Sequence, residues 1–171
     1  MRSKDATMIL IGIGSNLAHP PAATPRETAE AALGALSEIG VRVVKRSSWY
    51  LSEPVPASDQ PWFINGVVLV DADLTPTALL GALLGLEAEF GRVRSTANAA
   101  RTLDLDLLDY GSQLYDTPVL ILPHPRLHQR RFVLEPLCEI APGWRHPRLG
   151  LTAAGLLGRL PAGQPVSRLA D

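Results

Sequence analysis

The sequence predicts an α+β domain with a ferredoxin-like βαββαβ core, an antiparallel sheet and C-terminal helical and strand elaborations. The first observation behind this prediction is the order of strand-like and helix-like segments, which run β-α-β-β-α-β between residues 8 and 111. The second is length and composition, because 171 residues, 46% hydrophobic and 19% charged, suit one globular domain with a single core. We therefore predict a single domain over 1–171, with its core at about 8–145 and a C-terminal helix and tail at about 150–171.

Each segment carries its own signal. MILIGIG at 8–14 is an isoleucine-rich run bounded by glycine, which is typical of a buried strand. Thr24-Pro25 followed by Glu27 predicts a helix start with a capping box, and Gly40 predicts the end of that helix. The other core segments are a strand at 41–50, a proline-rich loop at 51–61, a strand at 63–73, a helix between Thr75 and Gly91, a polar loop at 92–100 and a strand at 101–111. Further along, RRFVLEPLCEI and LTAAGLLGRL have helical patterns.

Charge and cysteine content exclude several classes of protein. A formal net charge of −1 gives no global attraction to nucleic acid or to an anionic membrane surface. A single cysteine, Cys138, excludes an internal disulfide and a multi-cysteine metal site. The chain shows no signal-peptide pattern and no apolar run near the roughly 20 residues that span a bilayer. We therefore expect a cytoplasmic protein that binds neither membranes nor nucleic acid.

The stretch RTLDLDLLDY contains the most informative pattern. In a strand, Asp104 and Asp106 share one face. The leucines beside them point to the other face, toward the core: Leu103, Leu105 and Leu107. Two carboxylates on one strand face repel each other unless positive charge lies nearby, and a hard divalent cation such as Mg²⁺ supplies it. The alternative is a pair of solvated aspartates on an open sheet face, and a D-x-D pattern alone favours this alternative.

Basic residues flank the two aspartates on both sides in the sequence. The loop before the strand contains Arg92, Arg94 and Arg101. The segment PHPRLHQRRF after it contains His124, Arg126, His128, Arg130 and Arg131. Arginines around carboxylates that hold a divalent cation are typical of a site for a metal-bound polyphosphate, where they stabilise charge on phosphate oxygens. The cluster therefore favours a phosphate site over a set of unrelated surface charges.

Three other patterns are less specific. GIGSN at 12–16 lacks the third glycine of a dinucleotide-binding loop, because Leu17 stands in its place, and turn chemistry explains its glycines equally well. The H-x-x-x-H spacing in PHPRLHQ would suit zinc on a helix, but two prolines interrupt the segment. Asn65 carries a carboxamide that donates and accepts, which suits the edge of a heterocycle, although structural asparagines are common.

Four segments together resemble a known family: SSWYLSEPVPASDQPWFING, GRVR, RTLDLDLLDYG and LPHPRLHQRRFVLEPLCEIAP. In order and spacing they are similar to the 6-hydroxymethyl-7,8-dihydropterin pyrophosphokinases of the folate pathway, over about residues 9–145. The resemblance implies transfer of the terminal diphosphate of ATP to the hydroxymethyl group of 6-hydroxymethyl-7,8-dihydropterin, with release of AMP. It also implies ATP as co-substrate, two Mg²⁺ ions, small-molecule substrates and a monomeric enzyme.

The resemblance also implies roles for individual residues. Asp104 and Asp106 correspond to the pair that holds the two Mg²⁺ ions. Arg92 and Arg101 correspond to loop arginines that act on the phosphates. The nucleotide side would comprise Glu87, Arg94, Arg101, Leu107, His124 and Arg130. The pterin side would comprise Ser52, Pro54, Val55, Phe63, Asn65 and Phe132, with the two phenylalanines at the positions that sandwich the ring.

The two long loops at 51–61 and 92–100 resemble lids that exclude water from the reaction. The second of them differs from many family members, because Asn98-Ala99-Ala100 stands where these carry Trp-Gly-Pro before the arginine. Leu84 likewise stands where some members carry glutamine. Neither difference removes a group that the chemistry requires.

Other classes of function remain open at this level. An RNA-recognition module with the same core needs a basic sheet with exposed stacking aromatics, whereas these strands carry aspartates and aliphatic residues. A small-molecule regulatory domain would bind a ligand without Mg²⁺ and without turnover. A different D-x-D metal enzyme, such as a nucleotide-sugar transferase, would use the same two carboxylates with another nucleotide.

Overall fold

A computed structural model describes residues 7–93 and 96–171. In chain order its elements are β1 (Ile9–Ser15), α1 (Pro25–Ala35), β2 (Val41–Arg46), β3 (Tyr50–Ser52), β4 (Phe63–Ala72), α2 (Pro76–Glu89), β5 (Asp104–Tyr110), β6 (Tyr115–Asp116), β7 (Ile121–Leu122), α3 (Arg131–Ile140), α4 (Ala153–Leu157) and β8 (Val166–Arg168). Short 3₁₀ turns at Leu36–Ile39 and Leu127–Gln129 follow α1 and precede α3. Within the described ranges, no helix has both the length and the apolar character needed to cross a membrane.

The main sheet is antiparallel throughout. Its strands lie in the order β5-β1-β4-β3-β8, and β2 also pairs with β4. The two strands with the most central places, β1 and β4, are joined over seven residue pairs from Ile9↔Val70 to Ser15↔Ile64. The predicted mixed α+β class with an antiparallel sheet is therefore confirmed.

Helices cover both faces of the sheet, and each face has its own apolar core. On one face, α1 and α2 pack against the strands with buried residues such as Ala32, Leu83 and Leu105. On the other face, α3 and α4 pack around Leu10 and Leu134. The alternation predicted for this strand is confirmed, because Leu103, just before β5, and Leu105 and Leu107 within it lie in the first core and are at most 4% exposed. Their neighbours Asp104 and Asp106 therefore project from the opposite face, on the side of α3.

The helix starts follow local sequence. The Thr24 hydroxyl accepts a hydrogen bond from the Glu27 N–H (3.1 Å), and the Glu27 carboxylate accepts one from the Thr24 N–H (3.2 Å), so the predicted capping box is confirmed. Thr75 caps α2 in the same way, accepting from the Ala78 N–H at 3.3 Å. Gly40 closes the first helical segment with φ of 78°, a conformation that glycine adopts without a Cβ penalty.

The strand predicted at 41–50 is wrong as a single element. It divides into β2 and β3, and residues 47–49 leave the ladder between them. The Ser47 side chain explains the break, because its hydroxyl accepts a hydrogen bond from the Val67 N–H (3.0 Å) while the Ser47 N–H donates to the Val67 carbonyl (3.0 Å). A side chain thus replaces a backbone partner at this point. The loop predicted to begin at Leu51 accordingly begins after Ser52.

The C-terminal region also differs from its pattern. The segment LTAAGLLGRL forms only the five-residue helix α4, capped by Thr152 and followed by Gly158. The predicted tail then returns to the sheet, where β8 pairs with β3 from Tyr50↔Arg168 to Ser52↔Val166. This pairing places the C-terminal segment beside the loop that leaves β3.

Candidate active site

Two cavities of about 380 and 450 Å³ border Asp104 at the edge strand β5. They share a common wall, which consists of Arg92, Arg101, Asp104, Arg126 and Arg130. The junction is therefore four arginines and a carboxylate, with one cavity on each side of them. Such a junction attracts a polyanion, because guanidinium groups match phosphate oxygens in charge and geometry.

The first cavity contains every residue that the sequence predicts for the pterin side. They are Ser52 at the end of β3, Pro54 and Val55 after it, Phe63 and Asn65 in β4, and Phe132 in the first turn of α3. Asn65, only 5% exposed, donates through Nδ2 to the Ser52 hydroxyl at 2.6 Å. Each phenylalanine carries an arginine near its ring, with Arg101 Cζ 5.9 Å from the Phe63 centroid and Arg130 Cζ 5.5 Å from that of Phe132. The aromatic walls and the arginine junction are thus in direct contact.

The second cavity contains the described residues that the sequence predicts for the nucleotide side. They are Glu87, Leu107 and His124, together with Arg101 and Arg130 of the junction. Apolar side chains such as Leu80, Leu84 and Val119 complete its lining. Arg94 lies outside the described residues. The predicted division into two groups of residues therefore coincides with a division into two cavities.

Asp104 is bound by two arginines. Arg92 Nη1 lies 2.7 Å from Asp104 Oδ1, and Arg101 Nη1 lies 3.1 Å from Oδ2, so each carboxylate oxygen faces one guanidinium. Arg92 Nη1 also contacts Glu87 Oε1 at 2.9 Å, and this oxygen accepts a hydrogen bond from the Leu105 N–H at 2.8 Å. The buried Glu87 of α2 thereby holds both Arg92 and the backbone of β5 in place.

Asp106 has a different environment. Arg130 Nη1 approaches its Oδ2 at 3.2 Å, and His124 Nε2 lies 3.9 Å from the same oxygen. Burial, reinforced by the nearby Asp104 charge, raises the pKa of the Asp106 carboxyl to about 7, although Arg130 opposes the shift. Burial and the charge of Arg130 lower the pKa of His124 to about 4, so this imidazole is neutral at pH 7. Its Nδ1 accepts from the Arg126 N–H (3.1 Å), which places the proton on Nε2.

The raised pKa of Asp106 predicts an effect on stability without added metal. Folded protein holds the Asp106 proton up to about pH 7 and unfolded protein loses it near pH 4, so the folded state binds more protons in between. This group's contribution to the free energy of unfolding therefore declines as pH rises from about 4 to about 7, by up to about 1.4 kcal/mol per pH unit.

Urea denaturation of the wild type and of Asp106→Asn at several pH values measures this effect in EDTA. The informative quantity is the difference in the free energy of unfolding between the wild type and Asp106→Asn. His124 is present in both proteins, and its own contribution to stability rises with pH between its folded and unfolded pKa values. We expect the wild type to lose stability relative to the variant across this pH range. A difference that stays constant, or that increases with pH, would contradict the assignment.

The donor set of the site fits Mg²⁺. Asp104 and Asp106 offer carboxylate oxygens from one strand face, two residues apart. No group of three or more His, Cys, Asp or Glu side chains that could hold a metal occurs in residues 7–93 and 96–171. Mg²⁺ is typically bound through one or two carboxylates plus substrate phosphates and water, rather than in an all-protein cage. The two aspartates beside an arginine-lined cavity match that mode.

Asn16 is a residue of the site region that the sequence did not identify. It is 1% exposed, and its Nδ2 donates to the Pro61 carbonyl (3.0 Å) while its Oδ1 accepts from the Arg101 N–H (2.8 Å). It therefore ties the end of β1 to both long loops. The GIGSN pattern directs attention to its glycines, whereas the informative residue is the asparagine, whose partners lie 45 and 85 residues away.

The unusual Asn98-Ala99-Ala100 segment has a defined conformation in this chain. Asn98 adopts a left-handed φ of 59°, which asparagine tolerates better than most residues. Its carbonyl accepts from Gln60 Nε2 at 2.6 Å, and the Ala99 carbonyl accepts from Arg101 Nε at 3.2 Å. Backbone carbonyls of this segment therefore orient Arg101 and connect the second loop to the first.

The fold and the site define a class of protein: an antiparallel α+β domain in which two cavities meet at four arginines and an aspartate is typical of a phosphate-transferring enzyme. The family model for 7,8-dihydro-6-hydroxymethylpterin-pyrophosphokinase (HPPK) matches residues 10–142. The chain therefore belongs to the HPPK family.

Individual relatives agree with this membership. A 2-amino-4-hydroxy-6-hydroxymethyldihydropteridine pyrophosphokinase of Pseudomonas aeruginosa is 45% identical over 140 residues, which cover 81% of this chain and 83% of the relative. One of Haemophilus influenzae is 42% identical over 132 residues, covering 77% and 79%. Wild-type HPPK-DHPS of Plasmodium falciparum, crystallised with pterin and p-hydroxybenzoate, superposes with a TM-score of 0.61 at 13% identity. That match covers 93% of this chain but only 42% of the longer one, and it shows a shared fold.

Proposed function

We propose that this protein transfers the diphosphate of ATP to the hydroxymethyl oxygen of 6-hydroxymethyl-7,8-dihydropterin and releases AMP, a step of folate biosynthesis. One observation carries the proposal: the predicted pterin residues and the predicted nucleotide residues line two separate cavities that meet at Asp104 and four arginines. A pterin in the first cavity and ATP in the second would bring the acceptor oxygen and the β-phosphorus to that junction.

Asp104 and Asp106 would hold Mg²⁺, for which their oxygens and positions are suited. When bound, Mg²⁺ neutralises charge on the polyphosphate and fixes its orientation. Arg92 and Arg101, which contact Asp104, would bind phosphate oxygens as charge develops on them. The pterin hydroxyl attacks the β-phosphorus in line, the bond from the β-phosphorus to the α,β-bridging oxygen breaks, and AMP leaves.

The hydroxyl proton leaves late in this reaction, so a strong general base is unnecessary. The proton would pass to solvent or to a phosphate oxygen, because Asp106 would be ionised as a ligand of Mg²⁺. Asn65 would orient the pterin through its carboxamide, and Phe63 and Phe132 would stack on the ring. The loops at 51–61 and 92–100 would exclude water, which competes with the pterin as an acceptor.

Two structural properties belong to the same proposal. The strand order supports a ferredoxin-like core, because β5, β1 and β4 together with the broken strand β2/β3 follow the order expected for a βαββαβ sheet. A monomeric enzyme in the cytoplasm belongs to the same proposal.

The direct test is an incubation with ATP, Mg²⁺ and 6-hydroxymethyl-7,8-dihydropterin, with AMP and the pterin diphosphate quantified by chromatography. We expect both products in equal amounts, no AMP when the pterin is omitted, and no reaction in EDTA. Release of ADP in place of AMP, or no AMP at all, would refute the proposal.

Asn65→Asp tests the pterin side. The variant keeps a hydrogen bond with Ser52, because the serine hydroxyl can donate to the new carboxylate, but it loses the amide donor and adds a charge. We expect the KM for the pterin to rise at least about tenfold. The KM for ATP serves as the internal control and should change less than about twofold, since Asn65 lines only the first cavity. A rise in the KM for ATP larger than the rise in the KM for the pterin would contradict the assignment of Asn65 to pterin binding.

A further inference from the structure

The start of α3 lacks a cap from its own sequence. Arg130 occupies the N-cap position, and its side chain makes no capping hydrogen bond. The first turn of a helix nevertheless presents N–H groups that need acceptors. Gln164 supplies one from the C-terminal region, because its Oε1 accepts from the Arg131 N–H at 2.9 Å. The Nε2 of the same carboxamide donates to the Gln129 carbonyl at 3.0 Å. One side chain therefore binds the backbone on both sides of Arg130, within residues 129–131.

Two residues of the site lie in or next to the segment 129–131. Arg130 reaches back to Asp106 Oδ2 (3.2 Å), and Phe132 is the aromatic wall of the first cavity contributed by α3. The Arg130 guanidinium lies over the Phe132 ring, so the orientation of one depends on the other. A side chain that fixes residues 129–131 therefore acts on both without touching a substrate.

The segment 164–168, which we name the C-terminal strap, also contacts the opposite wall of the first cavity. Val166 pairs with Ser52 in the β3–β8 ladder, and the Pro165 carbonyl accepts from the Glu53 N–H at 3.4 Å. Ser52 in turn accepts the hydrogen bond from Asn65. The strap thus links the β3 wall and the α3 wall of the first cavity. It lies beyond residue 142, where the family match ends.

We propose that Gln164 is a positioning residue for the pterin half of the site, acting through the capped segment 129–131 and the pairing of the strap with β3. The inference rests on the proposed function. The second cavity meets this region only through Arg130, whereas the first also contains Phe132, Ser52 and Glu53, so we expect the larger effect on the pterin side.

Steady-state kinetics of Gln164→Ala tests the proposal. Loss of the cap should raise the KM for the pterin about fivefold, while the KM for ATP changes less than about twofold. Gln164→Glu is a partial-rescue variant, because its carboxylate still accepts from the Arg131 N–H at a helix N-terminus but loses the donor to the Gln129 carbonyl. We expect a pterin KM between those of the wild type and Gln164→Ala. Gln113→Ala, at an exposed glutamine of the β5–β6 turn, is the matched control and should change neither constant.

Three results would overturn the proposal: an unchanged pterin KM in Gln164→Ala, an equal rise for both substrates, or a Gln164→Glu variant as impaired as the alanine variant. Pterin titration with Mg²⁺ and α,β-methylene-ATP, which has no cleavable α,β bridge, separates this inference from the proposed function. If the wild type binds the pterin in this titration but forms no AMP when ATP replaces the analogue, the proposed function fails alone. If wild type and Gln164→Ala bind the pterin equally while turnover proceeds, the positioning role fails alone.

Discussion

Asp104→Asn and Asp106→Asn are each expected to reduce the rate of AMP formation by about a thousandfold, which corresponds to roughly 4 kcal/mol of lost transition-state stabilisation. Each variant keeps the size of the side chain and removes one negative oxygen donor. The two carboxylates are the acidic groups on the face of β5 that borders the arginine junction, so the loss of either weakens metal binding. Chromatographic quantification of AMP at saturating ATP, pterin and Mg²⁺ measures the effect.

A matched control distinguishes this loss from a general effect of removing an aspartate. Asp71 lies on β4 in an exposed ion pair with Arg42 (2.8 Å), and pairs of this kind contribute little to stability. Asp71→Asn should therefore retain wild-type turnover. Thermal unfolding of the site variants should remain cooperative, because neither aspartate lies in an apolar core. Retention of more than about a tenth of the turnover by Asp104→Asn or Asp106→Asn would contradict the metal-binding role.

Arg92→Ala is expected to affect stability and turnover together. Arg92 is 12% exposed and bridges Glu87, which is 3% exposed, and Asp104. Its removal takes a cationic partner from a buried carboxylate, which should lower the free energy of unfolding by about 3 kcal/mol. Loss of a guanidinium from the arginine junction should lower turnover about a hundredfold. Urea denaturation and the AMP assay measure the two effects separately.

The double variant Arg92→Ala/Glu87→Gln shows whether the two effects have separate causes. Glutamine can still accept from the Leu105 N–H but carries no charge, so we expect most of the lost stability to return. Turnover should stay low, because the guanidinium is still missing. Recovery of both would mean that Arg92 acts only through the fold. Arg42→Ala, whose guanidinium pairs with Asp71 at the surface, is the control for removing an arginine.

Much of the fold could be predicted because it depends on neighbours in the chain. The capping box at Thr24, the cap at Thr75 and the alternation of leucine and aspartate in β5 all arise from residues within a few positions of one another. The same alternation placed Asp104 and Asp106 on one face away from the core. The family resemblance then divided the remaining site residues into two groups, and those in the described ranges line two cavities.

Features that depend on distant partners could not be predicted in this way. The strand at 41–50 divides because the Ser47 hydroxyl binds Val67 on another strand. Asn16 matters through Pro61 and Arg101, and Gln164 through Arg131, and no local pattern marks either residue. The raised pKa of Asp106 likewise requires burial that only the packed site provides.

The residue types and the alternation within β5 establish which side chains are available for phosphate chemistry, since these are properties of a short segment. The spatial arrangement of the two cavities, the pairing of each Asp104 oxygen with its own arginine and the closure of the α3 start by Gln164 arise only when segments far apart in the chain pack together. The physical reason is range: caps and strand alternation act within a few residues, whereas burial, ion pairs and hydrogen bonds across the sheet require the assembled tertiary structure.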